Sequence, residues 1–130
     1  MLQLALRLRD HGFEPELAGP RESMIYPAVR REGIPVWRFP FERGYGRPHR
    51  ETAAVRRLIG LMRARRYDLV HCHSAKAGVL GRLAAAALGT PSVYSPHCFP
   101  FVGDFSELRR LVALSLERAL GRVTTATLCV

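Results

Sequence analysis

The polar chemistry of this chain gathers in one stretch, RYDLVHCHSAKAGVLGRLAAAALGTPSVYSPHCFPF, which holds His71, His73, Ser74, Lys76 and His97. An imidazole donates or accepts a hydrogen bond according to its tautomer, a hydroxyl does both, and an ammonium only donates. That set suits an anionic, hydroxyl-rich ligand. Two other chemistries need weighing. His71 and His73 sit two residues apart on a strand and share a face, while Cys72 between them points the other way. With His97 and Cys98 they have the residue types of a zinc set. However, no carboxylate or second cysteine pair stands at ligand spacing, so no metal is expected. Nucleophilic catalysis by Cys72 or Cys98 has no support in the sequence, and Cys72 is read as a small core residue.

The elements around these residues decide whether they can meet. Asp68 to His73 reads as a strand, Ala75 to Leu88 as an Ala- and Leu-rich helix, and Ser92 to Ser95 as a second strand. Strand, helix, strand is a βαβ unit, so the strands lie parallel and end at one edge of the sheet. In open α/β sheets ligands bind outside those carboxyl ends. His71, His73, Ser74 and Lys76 lie at the end of the first strand, and His97 lies at the end of the second. Ser74 stands where an N-cap belongs, and the helix behind it aims N–H groups at the same edge. Lys76 in the first turn opposes the helix dipole, a conflict that a nearby anion would relieve. A purely capping serine and a solvated lysine are the structural alternatives.

The remainder alternates in the same way, as an α/β domain with a parallel sheet does. Leu2 to Arg9 is a predicted helix stopped at Gly12, Glu14 to Ala18 a short strand closed by Gly19-Pro20, and Tyr26 to Glu32 a weaker helix. Ile34 to Phe39 is a strand, and Phe41 to His49 a Gly-, Arg- and Pro-rich loop. Glu51 to Arg65 is an amphipathic helix with Ala54, Val55, Leu58, Leu61 and Met62 on one face and Arg56, Arg57 and Arg63 away from it. Asp104-Phe105-Ser106-Glu107 has capping-box spacing and opens a helix to about Leu120. Thr125 to Val130 begins a last strand. No linker is long enough to divide the chain.

The 130 residues suffice for one core, and no apolar run reaches the ~20 residues that span a bilayer. The start lacks a signal-peptide pattern, and three cysteines without a CxxC pair fit a reducing compartment. A cytoplasmic chain is therefore expected. The net charge of +9 reads first as a solvated basic surface, and its field favours anionic partners, with an anionic membrane face ahead of nucleic acid. RNP-like aromatic motifs and zinc-finger spacing are absent, so no nucleic-acid partner is expected.

At DLVHCHSAKAG and the Pro96-His97 that follows the next strand, the sequence resembles the glycosyltransferase family 4 type of GT-B enzymes. LRDHGFEPELAGP and Gly33 to Val36 extend the likeness over almost the whole chain. The resemblance implies a Rossmann-like parallel sheet with helices on both faces, the N-terminal, acceptor-side half of a GT-B fold. It implies an enzyme, a retaining transferase moving a sugar from a nucleotide-sugar donor to a lipid-linked or polysaccharide acceptor, with no separate cofactor. His97 matches the histidine that reaches the donor sugar, and His73, Ser74 and Lys76 match the segment lining the cleft. Cys98 departs from the family's usual glycine. The family's first strand, its Gly-rich turn and the C-terminal nucleotide-sugar domain have no counterpart here. Residues 1–130 are thus expected to be a partial N-terminal domain with a gap in its sheet, inactive alone and peripheral on the inner face of the cytoplasmic membrane. The competing readings are a non-catalytic Rossmann-like module holding a phosphorylated ligand and a basic membrane-binding domain.

Overall fold

The computed structural model describes residues 1–39, 48–97 and 106–129. Ten elements follow one another: α1 (Leu2–Asp10), β1 (Leu17–Pro20), α2 (Tyr26–Arg31), β2 (Val36–Phe39), α3 (Pro48–Arg65), β3 (Val70–His73), α4 (Ala75–Leu88), β4 (Ser92–Ser95), α5 (Glu107–Gly121) and β5 (Ala126–Thr127). They are sorted into two compact units, Met1–Gly44 and Tyr45–Val130.

In the first unit β1 and β2 pair in parallel, with Leu17 opposite Val36 and Pro20 opposite Phe39. The first strand lies three residues later than its alternation suggested, and it takes in Gly19 and Pro20. Ladder pairing decides this, because Leu17 N–H donates to the Pro35 carbonyl at 2.9 Å and starts the register. Glycine is required at position 19, since a Cβ there would meet the Tyr26 hydroxyl at 2.6 Å. That hydroxyl donates to the Pro20 carbonyl and fixes α2 against the strand. Tyr26, Val29, Ile34 and Phe39 form the buried apolar set.

The second unit holds a three-stranded parallel sheet in the order β3-β4-β5. The described strands therefore make two parallel sheets, in keeping with the gap expected in the Rossmann-like sheet. The α3 stripe is as read: Ala54, Leu58 and Met62 are buried, while Arg56, Arg57 and Arg63 are exposed. The helix itself begins earlier, at Pro48, because proline, which has no N–H, suits a first turn whose N–H groups find no acceptor within the helix. His49, read as loop, is therefore helical. Val79, Leu80, Ala84 and Ala85 of α4 complete the core with Cys72 of β3, Tyr94 of β4 and Leu120 of α5.

One further helix start differs from expectation. The N-cap of α5 is Ser106, with no side-chain cap bond, so Glu107 is the first helical residue and the capping box does not form. Asp104 and Phe105 lie outside the described residues. At α4 the boundaries match, and Gly89 ends the helix in the left-handed conformation.

Candidate functional site

Register places the site. Parallel pairing sets His71 opposite Val93, Cys72 opposite Tyr94 and His73 opposite Ser95, so β3 and β4 end level at their carboxyl edge. His97 follows two residues beyond, after the buried Pro96. Three imidazoles then stand in a row. The His71 and His73 ring centroids are 4.1 Å apart, and those of His73 and His97 are 5.7 Å apart and stacked. His97 is exposed, whereas His71 and His73 are half-buried.

The hydrogen bonding of the row is graded. His71 Nε2 lies 2.8 Å from Ser95 Oγ, which fixes its ring across the strand pair. His73 Nδ1 is buried with no hydrogen-bond partner within the described structure. A buried polar atom left unpaired is costly, and such atoms recur where a ligand completes the set. Burial lowers the pKa of His71. His73 is pushed down to about 4, first by burial and then by the like charges of His71 and His97. At neutral pH His73 is therefore an uncharged ring offering one N–H and one lone pair, the pattern that meets a hydroxyl.

Ser74 occupies the cap position of α4 but does not cap it. Its φ of 71° and ψ of 158° fall in a region that is essentially glycine's, and its side chain makes no cap bond. The backbone strain turns the chain sharply from strand to helix and leaves the serine exposed at the edge. The first helical bond runs from Gly78 N–H to the Ser74 carbonyl at 2.8 Å, so the helix opens at the site with its N–H groups forward.

Lys76 has found an anion within the protein. Its Nζ lies 2.7 Å from Glu51 Oε1, with both side chains mostly buried. The dipole conflict at the start of α4 is relieved by the first turn of α3, and the pair ties the two helices together.

Cys72 faces away from the histidines and is buried, and burial raises its thiol to about 11. A thiol so held is protonated and a poor nucleophile. Among the described residues no three His, Cys, Asp or Glu side chains are grouped to hold a metal ion. Cys98 lies outside the described residues.

Sequence reasoning passed over Ser95 as the partner of His71, Glu51, and above all Arg82. The Arg82 side chain is 1% exposed in the middle of α4. It donates to the Gly78 carbonyl, sits 4.0 Å above the Tyr94 ring, and holds Glu117 of α5. A single arginine inside a run of Ala and Leu was the available signal, because such a helix is buried and an arginine in it must be paired.

Residues 1–130 match the profile of the "Glycosyl transferase 4-like domain" along their full length. The chain belongs to this family. Among curated relatives, the Escherichia coli UDP-Gal:alpha-D-GlcNAc-diphosphoundecaprenol alpha-1,3-galactosyltransferase is 38% identical over 73 residues, which cover 55% of this chain and 19% of that protein. A putative glycosyltransferase of Bacillus subtilis, EpsD, is 29% identical over 119 residues, covering 89% of this chain and 30% of EpsD. This glycosyl transferase 4-like domain thus spans less than a third of those relatives' length. Among solved structures, MurG of Acinetobacter baumannii superposes with a TM-score of 0.71 at 20% identity, covering 98% of this chain and 35% of MurG. The Streptomyces glycosyltransferase SsfS6 gives 0.56 at 17% identity, over 99% of this chain and 45% of its own. These likenesses establish the α/β fold as that of GT-B glycosyltransferases.

Proposed function

We propose that the whole protein is a retaining glycosyltransferase that moves a sugar from a nucleotide-sugar to a lipid-linked or saccharide acceptor. Residues 1–130 supply the acceptor-side, Rossmann-like part of its N-terminal domain, and another domain holds the nucleotide. One observation carries the reading: in a chain matching the family throughout, His73, His97 and the opening of α4 converge at the carboxyl edge of β3 and β4. A relative whose name gives a diphosphoundecaprenol acceptor supports the lipid-linked class. The enzyme works at the cytoplasmic face of the membrane, where such an acceptor's polar end is presented.

In this reading each residue has a distinct part. The exposed His97 ring contacts the transferred sugar and hydrogen-bonds a hydroxyl whose polarity grows in the transition state. The neutral His73 ring, stacked beneath it, sets its orientation and offers Nδ1 to the bound ligand. Ser74 presents its hydroxyl and the first N–H groups of α4 to the anionic part of the substrate. Lys76 adds a positive charge at the same helix start, moderated by Glu51.

His97→Ala in the full-length enzyme tests the assignment. Turnover is expected to fall ~10- to 1000-fold, the range for losing one or two polar contacts in the transition state. The melting temperature should barely move, because His97 is exposed. Normal turnover in this variant overturns the assignment.

A further inference from the structure

We propose that His71 and Ser95 are positioning residues for sugar transfer, a role that rests on His97 contacting the transferred sugar. Their hydrogen bond holds the end of β4 and so sets the His97 ring. His71 Nε2 lies 2.8 Å from Ser95 Oγ, and the serine is 6% exposed. Parallel strands ordinarily carry apolar side chains on both faces, and such a pair would join β3 to β4 without any polar demand. A histidine bonded to a buried serine adds a fixed direction that apolar packing lacks.

Register shows where that direction is needed. His71 stands opposite Val93 and His73 opposite Ser95, so the bond crosses the pair diagonally and ends on its last rung. Side chains at 71, 73, 93 and 95 share one face. The register of β4 with β5 has already ended, at Tyr94 and Thr127. Next comes Pro96, which has no N–H with which to extend a ladder. His97 must nonetheless return over β3, where its ring stacks on His73 with centroids 5.7 Å apart and 21° between planes. A stack between side chains of neighbouring strands survives only while the strand ends stay level. His71 serves both sides of it: its ring is 4.1 Å from that of His73, and its Nε2 fixes the serine that precedes Pro96 and His97. A contact made in the transition state loses its value when it is displaced by as little as about 1 Å.

Steady-state kinetics of the full-length enzyme test this. Ser95→Ala removes the hydroxyl and spares the rings, and should lower kcat about three- to ten-fold, the value of one neutral hydrogen bond. KM for donor and acceptor should stay within about two-fold, because only a transition-state interaction is weakened. His71→Phe keeps a ring and loses the bond, so it should match Ser95→Ala, and the double variant should be no slower than either single. His71→Gln, whose amide nitrogen reaches the place of Nε2, should recover most of the turnover. The deciding comparison is Ser95→Ala in a His97→Ala background, which should be as fast as His97→Ala alone. A further loss there overturns the proposal. So does wild-type kcat in Ser95→Ala, even with a lowered melting temperature, or an equal loss in His71→Gln and His71→Phe. The two His71 variants carry the same test where Ser95→Ala is too unstable to assay. Failure of the sugar-contact reading looks different, since His97→Ala itself then turns over normally.

Discussion

One terminal nitrogen of Arg82 lies 2.8 Å from both carboxylate oxygens of Glu117, joining the middle of α4 to the last turns of α5 across 35 residues of sequence. The arginine side chain is 1% exposed and the glutamate 12%. Because the Tyr94 ring covers the other side of the guanidinium, its charge has no route to water and depends on Glu117.

Removing one partner of this pair should therefore cost far more than removing both. Glu117→Leu is expected to destabilise the protein by about 3–5 kcal/mol, because it strands a buried cation. The double change Arg82→Met with Glu117→Leu should recover most of that loss. Urea unfolding of the two singles and the double gives the coupling directly, and additive losses would show that the pair is not coupled.

Gly78 and Gly81 mark where α4 approaches the sheet. A Cβ on Gly78 would run into the Tyr94 ring, and one on Gly81 would meet Cys72 Sγ at 2.5 Å. Alanine normally strengthens a helix, yet Gly81→Ala should cost about 1–2 kcal/mol through overpacking. Adding Cys72→Ala makes room for the new methyl and should restore stability. Gly60→Ala on α3, where a Cβ meets nothing within 4 Å, should stabilise by about 0.5–1 kcal/mol. Thermal melts of the three variants check the contrast.

Ser74 separates a capping serine from a strained one. A serine that caps loses about 1 kcal/mol on change to alanine. With no cap bond to lose, Ser74→Ala should stay within about 0.5 kcal/mol of wild type. Ser74→Gly, which accepts a φ of 71° freely, should gain about 1 kcal/mol after its entropic penalty is subtracted. If transfer needs the hydroxyl, the stabler glycine variant will also be the slower enzyme.

Acid sensitivity should trace to His73. Its ordinary pKa of 6.5 describes the unfolded chain, whereas the folded protein holds it at about 4. As pH falls between these values the unfolded state takes up a proton that the folded state refuses, so stability declines through that window and is flat above it. His71, also lowered by burial, adds a smaller slope of the same sign. His73→Gln should flatten the decline of melting temperature between pH 6.5 and about 4. An unchanged slope would mean that ring is not held neutral.

The sequence by itself determined the local half of this structure. Short-range rules placed α4 and β4 to the residue: Ala and Leu propensity, the Gly89-Thr90-Pro91 stop, and the run SVYS act within a few residues. The strand–helix–strand order brought His73 and His97 to one edge before any coordinates, because a parallel crossover leaves no other arrangement. The resemblance at DLVHCHSAKAG carried the family. What required tertiary structure were the relations between distant residues. Glu51 answers Lys76 from 25 positions away, and no spacing rule links them. Ser95 meets His71 because of a register that only the assembled ladder sets. Ser74 looks like a cap in sequence, yet its dihedrals are imposed by the strand behind and the helix ahead. On α5 the sequence alone marked no buried face; packing turned inward the side that carries Leu120 and the Glu117 that neutralises Arg82, and left Leu108, Leu111 and Val112 exposed.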